Sequence, residues 1–151
     1  MIKRIKVKAL VLALGLFSGG VHAEFTNGMN KYQVDQEMIA QLMAGESLHN
    51  IAKEAIGAGV SPGRVTTGLI ASGERAIAVV RVVVGIAPQS APDVVAAAIT
   101  EEPEQGAAIT AAVIAMVPQQ SRAIVTAAIT VPGVNPANIL SATAAGNPAA
   151  R

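Results

Sequence analysis

The sequence predicts an all-α fold: short antiparallel helices of about 10–12 residues, packed as a small α-solenoid or a compact helical array. Three observations lead there. A short pattern recurs roughly every 14–15 residues across 45–146, with Pro88, Pro103 and Pro118 marking the beat. Within each unit the apolar residues fall at i, i+1, i+4 and i+5, which is one stripe of a helix and not the alternation of a strand. Alanine makes up about a fifth of the chain, well above ordinary usage. A core of Ala, Val and Ile lets helices approach closely while burying little area per residue.

Taken in order, residues 1–23 read as a Sec-type signal peptide. Lys3, Arg4, Lys6 and Lys8 form a basic start, and Ala9 to Phe17 is an apolar run too short to span a bilayer. Val21-His22-Ala23 supplies the small residues of a cleavage site, with the cut expected after Ala23. This predicts a periplasmic or secreted protein. Residues 24–44 read as a polar N-terminal extension ending in a capping helix, with a turn at Asn27-Gly28 and Asp35 placed to cap a helix that runs to about Met43.

The repeat domain spans 45–146. Ser47 is a candidate N-cap for a helix carrying Ile51, Ala52, Ala55 and Ile56. Gly57-Ala58-Gly59 reads as a helix stop, and Ser61 caps the next helix with Pro62 at its first position. Four units follow over 73–87, 88–102, 103–117 and 118–132. Their β-branched pairs are Val79-Val80, Val94-Val95, Ile109-Thr110 and Ile124-Val125. The valine-rich stretch Val79 to Val84, within 73–87, has some strand character. A last, more polar unit opens at Asn135-Pro136, and 147–151 reads as a disordered tail. Short breaks turn successive helices back on one another. Small residues on the far face, such as Ala96, Ala111 and Ala123, suit helices packed on both sides.

Composition excludes several function classes. The whole chain has 11 Lys+Arg against 10 Asp+Glu. Without 1–23 the balance becomes seven against ten, so the mature chain has no general attraction to nucleic acid or anionic lipid. There is no cysteine, hence no disulfide, thiol nucleophile or thiolate ligand. His49 is the only histidine after the signal. Beside Ser47 and Glu46 it reads as a surface or capping residue. Glu101, Glu102 and Glu104 lack the spacing of a calcium loop and suit a helix N-terminus. No catalytic, cofactor-binding or metal residue is assigned.

Two resemblances carry residues. Leu42 to Glu54 followed by Val60-Ser61-Pro62-Gly63-Arg64-Val65 resembles the helix-turn-helix of bacterial response regulators. It departs in its longer connector and in having a single basic residue on the second helix. Pro118-Gln119-Gln120-Ser121-Arg122-Ala123-Ile124-Val125-Thr126-Ala127-Ala128-Ile129 resembles the units of exported alanine-rich helical-repeat proteins of Gram-negative bacteria. That resemblance implies export and architecture.

The expectation is a non-enzymatic exported helical-repeat protein, binding a protein partner or itself, as a scaffolding module of the envelope. The alternatives are peripheral membrane association through Ala76 to Ile86 and, behind it, helix-turn-helix DNA binding.

Overall fold

In the computed structural model, eight α-helices succeed one another with short breaks. They are α1 (Lys31–Met43), α2 (Leu48–Gly57), α3 (Pro62–Ala71), α4 (Ala76–Ile86), α5 (Ala91–Glu101), α6 (Gly106–Met116), α7 (Ser121–Ile129) and α8 (Pro136–Gly146). The structure describes residues 24–146. The expected signal peptide and the expected tail therefore lie outside the described residues. Helix accounts for 77% of the structure and no strand occurs among the described residues, so the valine-rich α4 is a helix like its neighbours. Its five inward residues, Ala76, Val79, Val80, Val83 and Val84, are buried at helical spacing. Tertiary burial outweighs the β-preference of valine here.

One register runs through all eight helices. Its first places are Val34, Leu48, Pro62, Ala76, Ala91, Gly106, Ser121 and Pro136. The interval is 14 residues up to Ala76 and 15 after it. The fourth place is buried in every helix: Glu37, Ile51, Val65, Val79, Val94, Ile109, Ile124 and Ile139. The fifth, eighth and ninth places complete the inward stripe in the middle of the chain. The register thus reaches back into α1, upstream of the span in which the proline beat is visible.

Each helix packs more extensively on the second helix along the chain than on the next one. Odd-numbered helices therefore form one layer and even-numbered helices the other, with the core between them. The contact α1–α3 shows the geometry. Asp35 and Met38 of α1 face Arg64 and Gly68 of α3 in the same order, so helices two units apart run parallel. The backbone at Gly68 comes so close that a Cβ there would lie 2.6 Å from the Met38 Sδ. Gly63, which a Cβ would bring within 3.8 Å of the Ala97 Cβ, repeats the approach between α3 and α5. Part of the alanine excess follows: the seventh place meets the helix two units back, and from α5 to α8 it is Ala97, Ala112, Ala127 and Ala142.

The breaks are of two kinds. After α1, α2 and α3 the chain turns on Gly45, Gly59 and Gly73, each with positive φ. The Schellman bonds are made in full, for example Val60 N–H to the Ala55 carbonyl at 3.0 Å and Gly59 N–H to the Ile56 carbonyl at 3.0 Å. Ser47 and Ser61 then accept from the N–H of Asn50 and Arg64 and cap α2 and α3. After α4, α5 and α6 the break is a single 3-10 turn opened by proline: Pro88–Ser90, Pro103–Gln105 and Pro118–Gln120. These helices have no side-chain cap.

One local expectation is corrected. Asp35 lies inside α1 and does not cap it. The cap is Asn30, in a reciprocal capping box with Gln33. Asp35 is instead drawn to Arg64 across the α1–α3 contact.

Candidate functional site

The residues singled out for chemistry do not converge. His49 is exposed on α2. The Ser47 hydroxyl beside it is occupied as a helix cap, accepting the Asn50 N–H at 3.2 Å. Asn50 in turn donates its side-chain amide to Glu46 at 3.3 Å. Glu102 and Glu104 flank Pro103 ahead of α6, where Gln105 donates to the Glu102 carboxylate. No group of three or more metal-ligating side chains occurs among the described residues.

The helix-turn-helix-like segment falls on α2 and α3. Here α3 lies between α1 and α5, with Val65, Thr66, Gly68, Leu69 and Ile70 buried. Arg64, its one basic residue, pairs with Asp35 and also donates to the Lys31 carbonyl at 3.2 Å. α3 is thus packed on both flanks, with its one cation engaged by Asp35.

Two polar groups escaped the sequence reading. The first is a chain of contacts at the N-terminal end, where Gln41 donates to Glu37 at 3.0 Å and to Glu54 at 3.2 Å. Glu37 and Gln41 occupy the fourth and eighth places of α1, which are apolar in the interior helices. Extending the register upstream of residue 45 would have exposed them. The second is a shallow cavity of about 260 Å³ where the Thr26–Met29 turn meets the starts of α1 and α3. Lys31 and Arg64 line it, but the positive charge of Arg64 is already balanced by Asp35.

The two ends of the array differ in what they leave uncovered. The seventh place faces back toward the preceding helices, so α1 and α2 have nothing to cover it. There stand Ala40 and Glu54, both exposed. The fifth and ninth places face forward. They are covered or nearly so from α1 to α6, and open at the other end. Val125 and Ile129 of α7 are half-buried, and Leu140 and Ala144 of α8 are exposed, Leu140 by 51%. Between them runs a groove of about 350 Å³ lined by Ile114, Ser121, Arg122, Val125, Thr126, Leu140, Thr143 and Ala144. From Gln105 to Gly146 the only charged residue is Arg122.

The groove is an apolar trough with hydroxyl edges and one cation. No protein-family model, no curated protein and no solved structure matches the chain.

Proposed function

We propose that this is an exported, non-enzymatic helical-repeat protein that serves as a protein-binding or scaffolding module of the cell envelope. The observation that carries the reading is the asymmetry of the two ends. At the N-terminal end the uncovered seventh places are Ala40 and Glu54, with Tyr32 and Met43 exposed on α1, whereas the α7–α8 end keeps a continuous apolar stripe where the register of the array would seat a further helix. Helical arrays present such surfaces to partners. The basic and apolar character of 1–23 supports export. The absence of cysteine and the isolation of His49 turn the reading away from catalysis.

The membrane alternative has less support. The segment it relied on, Ala76 to Ile86, buries Val79, Val80, Val83 and Val84 in the core and half-buries Val82. No described helix is long and apolar enough to cross a membrane.

The test is site-specific photocrosslinking in cells, with the reactive side chain at Ser141 beside the groove or at Arg81 on the flank of α4. A discrete adduct from Ser141 and none from Arg81 is expected. Equal labelling from both, or none from either, sinks the reading.

A further inference from the structure

The interior contacts of the array specify what its open end accepts, and the groove departs from them in one respect, its charge. When a helix seats on the helix two units before it, its seventh place lies over the second and fifth places of the earlier helix. Thus a Cβ at Gly68 would come 3.2 Å from Asp35 Oδ1 and 2.6 Å from the Met38 Sδ. Its third place meets the second place of the earlier helix, as Arg64 meets Asp35 and as the Asp93 backbone lies over Gly63. In α7 the second and fifth places are Arg122 and Val125, with Leu140 of α8 forming the other wall. Arg122 is exposed and forms no ion pair or hydrogen bond within the described residues.

We propose that the α7–α8 groove seats a single helix of a partner protein that presents a small residue, Ala or Gly, over Val125 and an acidic residue four positions earlier against Arg122. The inference rests on the binding reading above and names its partner by chemistry. It reverses the ion pair already present between the second and third places of α1 and α3, and it continues the packing of α5 on α3 and α7 on α5.

A second copy of this chain fits worse in either orientation. Its leading helices offer Gln36 and Ala40 from α1, and Asn50 and Glu54 from α2. Stacked head to tail, Glu54, whose partner is the Gln41 amide alone, would be pressed on the Leu140 side of the groove, where no cation stands, and burying a carboxylate without a counter-charge is costly. Joined end to end by a two-fold axis, two bulky stripes would meet without the small-residue row that close packing uses, and two Arg122 side chains would share one interface.

The experiment uses a probe of the required chemistry. It is a labelled peptide of residues 88–103, which carries Asp93 and, four positions on, Ala97, locked as a helix by a lactam on its outer side and checked by circular dichroism. Fluorescence anisotropy against the protein should show saturable binding. Arg122→Glu should weaken it at least about tenfold, and a peptide carrying Asp93→Lys should recover that loss on the Arg122→Glu protein, as for a direct charge pair. Leu140→Asp should remove binding. Both side chains are exposed, so both variants should keep the parent's helical spectrum. No saturation up to about 1 mM peptide, which is only about 4 kcal/mol of binding, overturns the proposal. So does binding indifferent to Arg122 and Leu140, which would mean the peptide replaces α5 in its own seat. Light scattering that finds a dimer abolished by Leu140→Asp also overturns it, in favour of a second copy as occupant. Failure of the peptide alongside a discrete adduct from Ser141 would remove this partner and leave the binding role standing.

Discussion

The breaks between α1 and α4 turn the chain on glycine, and those between α4 and α7 turn it on proline. All six are four residues long, and the extra residue of the later units lies in the helix. The glycine breaks satisfy helix ends from outside the helix. A left-handed residue returns two N–H groups to the last turn, and in two of the three a serine covers the first turn of the next helix. The proline breaks have no side-chain cap on the following helix. Pro88, Pro103 and Pro118 each open a 3-10 turn closed by its own bond, as from Ser90 N–H to the Ala87 carbonyl at 3.0 Å. In two of them the residue before proline is buried: Ala87 and Val117 are both 4% exposed. Linker layers are tied together two units apart, since Gln120 donates its side-chain amide to the Pro88 carbonyl at 2.7 Å. The two halves thus reach the same stacking by different local chemistry, and they should respond differently to the same substitutions.

The largest effect tests the core that both halves share. At the eighth place α3 has Leu69 and α5 has Ala98, both fully buried. Leu69→Ala should lose about 2–5 kcal/mol through lost burial and the cavity left behind. The reverse exchange, Ala98→Leu, should lose about 1–3 kcal/mol through overpacking. Urea denaturation followed by circular dichroism reads both. A gain in stability from Ala98→Leu would show that the alanine-rich half is loosely packed, and the comparison of the halves would need redrawing.

Next come the turns themselves. Gly73 has φ +101° with open space around a Cβ. Gly73→Ala therefore costs through backbone conformation and not through a clash, by about 1–2 kcal/mol. Pro118→Ala should cost less, about 0.4–1 kcal/mol, mostly by freeing the unfolded chain. Thermal melts of the two variants should rank in that order. Equal losses would mean that the 3-10 turn depends on its proline as strongly as the Schellman turn depends on its glycine.

Capping gives a smaller contrast. Ser61→Ala removes the acceptor for the Arg64 N–H and should cost about 1 kcal/mol. Gln105→Ala, at the matching point before α6, removes no cap and should stay within about 0.5 kcal/mol. The difference between the two melting shifts is the quantity to measure. A loss at Gln105 matching that at Ser61 would place hidden capping in the proline breaks.

How far the sequence disclosed this depended on how regular it is. From Ser47 to Pro136 the caps, prolines and aliphatic pairs state the helices directly, and the stop at Gly57-Ala58-Gly59 is where the structure puts it. α1 was harder. A helix running to about Met43 is legible, but Glu37 and Gln41 stand where aliphatics would be, so only the 14-residue interval joins it to the register of the others. Asp35 looked like a cap because capping is a local rule, whereas its partner Arg64 is 29 residues away. The small seventh place was visible only as an alanine excess, since its cause is a helix two units distant. The groove at α7–α8 was legible least of all. Val125 and Leu140 fit the inward pattern of every other unit, and only the end of the stack leaves them open.

The smallest expected effect bears on that point. Val80 and Leu140 occupy the same fifth place, one in α4 and one in α8, and Val80 is fully buried. A charge at Val80 would sit unpaired in the core and should be severely destabilising. Leu140→Asp should change stability by no more than about 0.5 kcal/mol, because half the side chain already meets water. Chemical denaturation of the two variants side by side makes the measurement. If Leu140→Asp unfolded the protein as Val80→Asp should, the stripe on α8 would belong to the core of this chain, and the end of the array would already be closed. If it is silent, the apolar side chain at Leu140 adds nothing to the stability of the fold and stays free to meet a partner.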